Sequence, residues 1–503
     1  MFKLKFIAEP KKIVYKPLSV SIKYLIDEKK LGNSLKLFEK VSNIKLSAYQ
    51  RKNFLYSKGS SIRISKPDGK PDEIVLVKVK IDEKFTQDFF RNQLAGFIKS
   101  ISSEEINNLH ITIPKYESFK KYYDSEEYFY QSFIEGLALG NYSFDLYKKS
   151  KDKVKPLNVY FYASNSKKLN SALSVSKNVI DGINFTKELQ NEPGNVITPN
   201  ELSLRIKTKF KNTGVKITVF NEKEIQKRKM GGLLAVGMGS SNPPRFIILQ
   251  YNGITGKNKK SKTIALVGKG VTFDAGGISI KPASGMGEMK ADMSGAAVVA
   301  GTILSAAKAK LPVNLLGVIP SAENMVSGSA MRPGDVFITA SGKSIEVDNT
   351  DAEGRMILAD ALDFASRKKP DVIIDLATLT GACVVALGEL AAGLFTKNDK
   401  LADQLFKSGM KTYDRVWRLP MWDDYNDLIT SSVADVNNVG NTRWAGAITA
   451  AKFLEHFVDK NINWAHLDIA GPAMANNTNN YTKKYMTGFG VRLLFDYLSA
   501  KAK

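Results

Sequence analysis

Cysteine and histidine are nearly missing from this chain of 503 residues: one cysteine, Cys383, and three histidines, His110, His456 and His466. A single thiol excludes an internal disulfide framework and any cysteine-cluster metal site. It also fits a reducing cytoplasm. The histidines form no His-x-x-x-His pair, which argues against a histidine-rich zinc site. No Gly-x-Ser-x-Gly elbow accompanies them, so a Ser-His-Asp hydrolase is disfavoured. Also absent is any run of about 18 apolar residues, so no transmembrane helix is expected. Met1 to Phe6 lacks the apolar segment of a signal peptide. Arginine is scarce as well, only 13 of 73 basic residues, although the net charge is +23 and the pI near 9.6. That charge permits attraction to nucleic acid. Yet the lysines are dispersed, as in Lys120-Lys121, Lys148-Lys149 and the run from Lys257 to Lys262. A lysine-rich background explains them better, because base-reading and phosphate-clamping sites favour Arg. Any metal must therefore be held mostly by Asp, Glu and Lys.

The length suggests two or more domains, and 43% hydrophobic residues suffice for ordinary cores. Residues 1–164 read as a small α/β unit. Strand-like segments are Ile74–Val79, Ile111–Ile113 and Val159–Tyr162, and helical periodicity runs over Phe85–Ile101 and Glu126–Leu146. Ser166–Leu189 reads as one long helix that stops at Asn191-Glu192-Pro193-Gly194-Asn195. This helix, within 165–191, is expected to link the first unit to a catalytic domain over 165–503. Beyond it strand and helix alternate: strands at Phe246–Leu249, Thr263–Val267, Val313–Ile319 and Val372–Leu376, helices at Gly295–Ala309 and Arg355–Ser366. Near-continuous apolar strands in that alternation predict an α/β fold with a mostly parallel sheet covered on both faces. Sites in such sheets lie at the carboxyl ends of strands.

Two stretches carry the chemistry. Asn349-Thr350-Asp351-Ala352-Glu353-Gly354-Arg355 packs two carboxylates and a guanidinium into five residues. Upstream, Lys269 and Asp274 stand in Val267-Gly268-Lys269-Gly270-Val271-Thr272-Phe273-Asp274-Ala275-Gly276-Gly277, followed by Lys281 and Asp292. Together they supply four acids and three cations among glycines. Hard divalent cations favour such oxygen-rich sites, and a bridged pair can activate a water. A plainer reading stays open: Thr350-x-x-Glu353 also fits a helix capping box, with Arg355 at the surface. Two nucleotide-loop look-alikes fail. Ser341-Gly342-Lys343-Ser344 has Phe337 in place of the first P-loop glycine, and Gly237-Met238-Gly239 lacks the third dinucleotide glycine. Both read as turns.

These residues resemble the leucine aminopeptidases, or cytosol aminopeptidases, which are dinuclear metallo-exopeptidases. The resemblance rests on Asn349 to Arg355, Val267 to Asp274, Ile278-Ser279-Ile280-Lys281-Pro282 and Leu376-Ala377-Thr378-Leu379-Thr380-Gly381-Ala382. Glu323-Asn324-Met325, Arg332-Pro333-Gly334-Asp335-Val336 and Trp464-Ala465-His466-Leu467-Asp468-Ile469-Ala470-Gly471 are similar too. It spans roughly residues 170 to 495, with seven functional positions in the right order and spacing; the N-terminal part fits by size and layout only.

The resemblance implies two divalent ions per subunit, Zn or Mn, with Co or Mg as alternatives. One would be held by Lys269, Asp274, Asp292 and Glu353, the other by Asp274, Asp351 and Glu353. It makes Lys281 and Arg355 catalytic, Lys281 polarising the scissile carbonyl and Arg355 holding a bicarbonate that acts as base. Met289, Thr378, Leu379, Gly381, Ala470 and Ala473 match positions lining the first side-chain pocket, although Leu379 and the alanines also fit an ordinary core. The implied substrates are peptides with a free N-terminus, preferentially Leu and other apolar residues, in cytoplasmic peptide turnover. The implied assembly is a homohexamer. A DNA-binding role is permitted by the charge, but the complete ligand set disfavours it as the main function. Departures from the family pattern are Ser294, Pro472-Ala473-Met474 and Trp444-Ala445-Gly446.

Overall fold

The computed structural model describes residues 1–8, 15–27, 31–56, 61–66, 71–149, 154–254, 262–475 and 477–502. Of the lysine run, Lys257 to Ser261 lie outside these residues. The chain divides into two compact units, Met1–Lys177 and Asn178–Lys503, and the division falls inside the helix Ser166–Asn191. Among the described residues no helix is long and apolar enough to cross a membrane.

The first unit is built on six strands: β1 Phe2–Ala8, β2 Ser19–Asp27, β3 Ser61–Ser65, β4 Glu73–Lys80, β5 Asn108–Thr112 and β6 Lys155–Tyr162. Their order is β1-β6-β5-β2-β4-β3, and only β3 runs antiparallel to its neighbour. Side chains alternate between faces. On one face Tyr24 meets Phe90 and Phe133 edge-on at 5.4 and 5.7 Å, from the helices Phe89–Ser100 and Glu126–Gly140. On the other, Ile64, Ile74 and Leu76 pack with Leu35 and Phe54 of the helices Leu31–Ser42 and Ala48–Tyr56. The helix expected over Glu126–Leu146 stops at Gly140, because the Asn141 side chain turns to bracket the Phe2 backbone, accepting from its N–H (2.9 Å) and donating to its carbonyl (2.7 Å). The helix expected from Phe85 begins at Phe89, since Phe85 belongs to an aromatic cluster with Phe89, Phe90 and Phe119.

The second unit contains β7 Lys216–Phe220, β8 Arg245–Asn252, β9 Thr263–Gly268, β10 Gly270–Asp274, β11 Asn314–Asn324, β12 Val336–Ile338, β13 Ser344–Glu346, β14 Val372–Ala377, β15 Ala392–Phe395, β16 Val416–Arg418, β17 Val436–Asn437 and β18 Asn463–Asp468. The large sheet runs β16-β15-β18-β14-β9-β11-β8-β7, with β10 paired to β11. Its centre, β18-β14-β9-β11, is parallel, while β7 and β8 and the β15–β18 pair introduce antiparallel neighbours. The molecule is therefore α/β, with a small mixed N-terminal sheet and a larger, mostly parallel one. Ala265 and Val267 of β9 share a core with Met356, Ile357 and Leu358 of the helix Glu353–Ser366. The small-residue helix Ser294–Lys308 approaches the strand ends closely. A Cβ at Gly295 would lie 2.0 Å from the Leu376 carbonyl, and one at Gly268 would lie 2.4 Å from the Gly295 carbonyl. Such contacts require glycine. The remaining β12, β13 and β17 form a separate three-stranded sheet. The Ser341-Gly342 look-alike is the turn of its β12–β13 hairpin, with Gly342 at φ 88°.

Candidate metal centre

The central parallel strands deliver their carboxyl ends to one place. Lys269 fills the single-residue break between β9 and β10, Asp274 ends β10, Asn324 ends β11, Thr378 follows β14, and Asp468 ends β18. The Lys269 backbone is locked there: its N–H donates to the Leu376 carbonyl (3.0 Å), and its own carbonyl accepts from Ala296 (2.8 Å). Its side chain runs past Gly354, where a Cβ would stand 2.4 Å from the Lys269 Cε. Glycine between Glu353 and Arg355 is thus a packing requirement of the lysine.

The buried Lys269 Nζ lies 2.8 Å from Asp292 Oδ2 and 2.9 Å from Glu353 Oε1, and it donates to the Thr378 carbonyl at 2.9 Å. Lys281 Nζ stands 2.9 Å from Asp274 Oδ2 and 2.5 Å from Asp351 Oδ1. Asp274 Oδ1 accepts from Gly276 N–H (2.9 Å) and Asn324 Nδ2 (2.8 Å). Asp292 Oδ1 accepts from Thr378 Oγ1 at 2.7 Å. Carboxylate oxygens of Asp274, Asp351 and Glu353 lie within 4.8 Å of one another.

Burial and crowding shift six of these groups, Glu353, Asp292, Asp351, Lys269, Lys281 and Arg355. Burial and the Asp274 charge push Glu353 up to about 8. Burial, together with Asp274, lifts Asp292 to about 6, against the pull of Lys269. Asp351 is raised by burial and Asp274. Burial alone would lower Lys269, but Asp292, Glu353 and Asp274 outweigh it and hold the ammonium above its ordinary value. Lys281 is likewise raised by Asp274 and Asp351 against its own burial. Burial brings Arg355 down to about 10.

These residues suit hard cations on the chain's own chemistry. Asp292 Oδ2, Asp351 Oδ1 and both Glu353 oxygens are sealed from solvent and have no hydrogen-bond partner of good geometry among the described residues, although two lysines lie at ion-pair distance. Buried polar atoms are rarely left this way. Four carboxylates face two ammonium groups, leaving a net demand for positive charge that divalent ions answer.

The alternative of a capping box does not form. The helix Glu353–Ser366 starts with Ala352 as its N-cap, without a side-chain cap. Thr350 Oγ1 instead donates to the Gly276 carbonyl (2.6 Å) and accepts from Ser279 N–H (2.8 Å), bracing the Gly276-Gly277 turn, whose φ values are 87° and 65°. Arg355 is buried rather than at the surface, and its Nη1 donates to the Asn438 carbonyl at 2.7 Å.

Among the other expected positions, Thr378 touches both Lys269 and Asp292. Leu379 packs against the core of the unit. Met289 lies half-buried in the short 3-10 turn Met286–Ala291 that precedes Asp292, Gly381 is exposed at the start of a helix, and Ala470 is half-buried. Ala473 has no exposed surface. Sequence reasoning passed over Asn324, which orients Asp274 and also donates to the Thr350 carbonyl (3.1 Å). It also passed over Asn438 and Asp468. Asn324 and Asp468 sat inside quoted motifs, but no local pattern marked their contacts; Asn438 carried no signal at all.

Comparison with known proteins places these features in a family. Residues 184–495 match "Cytosol aminopeptidase family, catalytic domain", and residues 23–151 match "Cytosol aminopeptidase family, N-terminal domain". A probable cytosol aminopeptidase from Chlorobaculum tepidum is 51% identical over 377 residues, 73% of this chain and 74% of that one. Among solved structures, a mutant tomato leucine aminopeptidase superposes with a TM-score of 0.87 at 30% identity, covering 99% of this chain and 97% of the other. A bottromycin maturation enzyme in complex with Mn superposes with a TM-score of 0.82 at 30% identity, covering 97% of this chain and 100% of that one.

Proposed function

The chain belongs to the cytosol aminopeptidase family and is a metallopeptidase of the leucyl aminopeptidase type; from that premise we propose that it releases N-terminal residues, preferentially Leu and other apolar ones, with Lys269, Asp274, Asp292, Asp351 and Glu353 holding two divalent ions. The observation that supports the assignment is the set of sealed carboxylate oxygens on Asp292, Asp351 and Glu353 that face two lysines at ion-pair distance without well-formed hydrogen bonds among the described residues.

Lys269, Asp274, Asp292 and Glu353 would hold one ion, and Asp274, Asp351 and Glu353 the other, so that Asp274 and Glu353 serve both. When bound, the ions supply Lewis acidity and a water of lowered pKa. Lys269 would bind as the neutral amine, a form that nearby dications favour, with the Thr378 carbonyl accepting one of its N–H bonds as it does here. Lys281 gives up the Asp274 and Asp351 carboxylates and directs its charge at the scissile carbonyl, stabilising the oxyanion as it develops. Arg355 Nε has no hydrogen bond among the described residues and would be available to hold an anion such as bicarbonate, which would supply a base where histidine is lacking. Met289, Thr378, Leu379, Gly381 and Ala470 would frame a mostly apolar site for the first side chain, with the fully buried Ala473 behind them. A role in cytoplasmic peptide turnover and assembly as a homohexamer complete the reading; a sedimenting species of one chain alone would remove the hexamer.

The test is hydrolysis of leucine amide by the purified chain. Activity should vanish with a chelator and return with Zn, Mn or Co, and N-acetylated substrates should be inert because a blocked amine cannot ligate. Full activity in metal-free protein, or early internal fragments from a long peptide, would refute the assignment.

A further inference from the structure

Asp468 ends β18 with no exposed surface. Its carboxylate accepts three hydrogen bonds: from Leu379 N–H and Ala470 N–H at 3.2 Å each, and from Thr380 Oγ1 at 2.6 Å. All three donors are uncharged. Placing a full negative charge on neutral donors in a sealed interior is expensive, and a neutral side chain could close the same loop at lower cost. In return, charge-assisted hydrogen bonds are roughly twice as strong as neutral ones and fix their donors tightly.

What the grip fixes is Thr378, the residue before Leu379. Its carbonyl accepts from Lys269 Nζ at 2.9 Å, and its hydroxyl donates to Asp292 Oδ1 at 2.7 Å. Thr380 holds its own end twice, donating to Asp468 and accepting from Cys383 N–H at 3.0 Å as the cap of the helix Gly381–Leu387. A continuous path therefore runs from Asp468 through Thr380 and Thr378 to two of the lysine-side ligands. Outer contacts of this kind orient ligands and set their affinity.

We propose that Asp468 and Thr380 are positioning residues that aim Thr378, and through it Lys269 and Asp292, so that they set the affinity of the lysine-side metal position selectively. This rests on the two-ion reading of the site. The test is competition titration of metal-stripped protein with Zn(II) against a chromophoric chelator, on wild type, Asp468→Asn, Thr380→Val and Thr380→Ser. Unfolding of each metal-free variant is measured in parallel. Wild type should take two ions. Asp468→Asn and Thr380→Val should keep one at wild-type affinity and bind the other on the order of 10- to 100-fold more weakly, while Thr380→Ser, which keeps the hydroxyl, should match wild type. Should Asp468→Asn fail to fold, the Thr380 pair decides. Two ions bound at wild-type affinity in both weakened variants would overturn the inference alone. So would an equal loss at both positions, or Thr380→Ser behaving like Thr380→Val. A wild type that binds no Zn(II) would overturn the two-ion reading and this inference with it.

Discussion

Each unit contains a cluster of buried charge, and the two are built on opposite rules. In the N-terminal unit Arg91 has no exposed surface and donates to Asp88 Oδ1 (2.5 Å), Glu135 Oε2 (2.8 Å) and the Tyr128 hydroxyl (3.1 Å). The cation sits among its acceptors, and the neighbouring side chains complete the network. In the catalytic unit four carboxylates converge on two lysines, several of their oxygens lack a hydrogen bond, and Glu353 is pushed up to about 8. Both clusters hold twice as many carboxylates as cations; the first satisfies its buried polar atoms with hydrogen bonds from its own residues, whereas the second leaves several carboxylate oxygens without one among the described residues. Buried charge alone is thus a poor sign of function, and unfinished buried charge is a much better one.

Two substitutions should break the comparison most visibly. Glu353→Ala removes a carboxylate proposed to serve both ions. At least one metal position should empty and activity should fall below detection, with little loss of stability in the metal-free chain. Arg91→Ala should do the reverse. It strands two buried carboxylates, so unfolding free energy should drop by about 3–5 kcal/mol, while metal content per folded chain stays unchanged. Elemental analysis beside denaturant unfolding reads both arms. Two metals and full activity in Glu353→Ala would erase the distinction.

Within the catalytic cluster, ligands and charge-stabilising groups should separate next. Lys281→Ala and Arg355→Ala spare every proposed ligand. Metal occupancy should hold, while kcat falls on the order of 10²-fold or more for Lys281→Ala. For Arg355→Ala the fall should be about 10²- to 10⁴-fold, at the lower end when buffer anions substitute. A variant that lost its metal instead would move that residue among the ligands.

The catalytic unit was more legible in sequence than the N-terminal one for the same reason that its cluster is unfinished. Parallel strands buried on both faces write continuous apolar runs, and the segments read at Thr263–Val267 and Val372–Leu376 form β9 and β14 almost residue for residue. Charges interrupting glycine-rich turns at strand ends then stand out. The first 60 residues show neither pattern: β2 mixes Lys23 and Asp27 with apolar residues, and the helix Ala48–Tyr56 has no apolar stripe, since Phe54 is its one buried side chain. The long-range contacts could not be read at all. Nothing near Thr350 indicates that its hydroxyl braces Gly276, more than 70 residues earlier, so a capping box is the better reading of that stretch taken alone. Asn438 reaches Arg355 across 83 residues of chain.

Glycine offers a finer contrast, because the same change can be made beside each cluster. A Cβ at Gly354 would meet the side chain of Lys269 at 2.4 Å; one at Gly136 would meet the backbone carbonyl of Arg91 at 2.6 Å. Overpacking of this sort costs about 1–3 kcal/mol. Gly136→Ala must move a helix backbone, so its effect should appear in stability and leave metal binding untouched. Gly354→Ala pushes on a side chain, and should appear chiefly as weaker metal binding, on the order of tenfold or more. Equal stability losses with unchanged metal affinity in both would show that Lys269 is not held as a ligand.

The smallest expected effect concerns a buried His–Asp pair inside the catalytic unit itself. His466 Nδ1 lies 2.6 Å from Asp375 Oδ1, whose other oxygen accepts from Trp464 Nε1 at 2.7 Å, and both partners are fully buried. Burial opposes charging the imidazole, but Asp375 outweighs it and raises His466 above its ordinary 6.5. A folded-state pKa above the unfolded one means that the native protein holds the proton more tightly. The stability gained is complete below about 6.5 and is lost as pH rises through the folded value. Asp375→Asn removes the carboxylate that favours the charged form. Its unfolding midpoint should therefore lie below that of wild type at mildly acidic pH, and the gap should narrow as the pH becomes alkaline. His466 Nε2 has no hydrogen-bond partner among the described residues, which keeps the effect modest: the charged ring leaves one N–H unsatisfied. Denaturant titrations of metal-free protein across that range measure it. A gap that stays constant with pH would mean that His466 does not hold its proton more tightly in the native state than in the unfolded one, and that Asp375 fails to offset the burial of the ring.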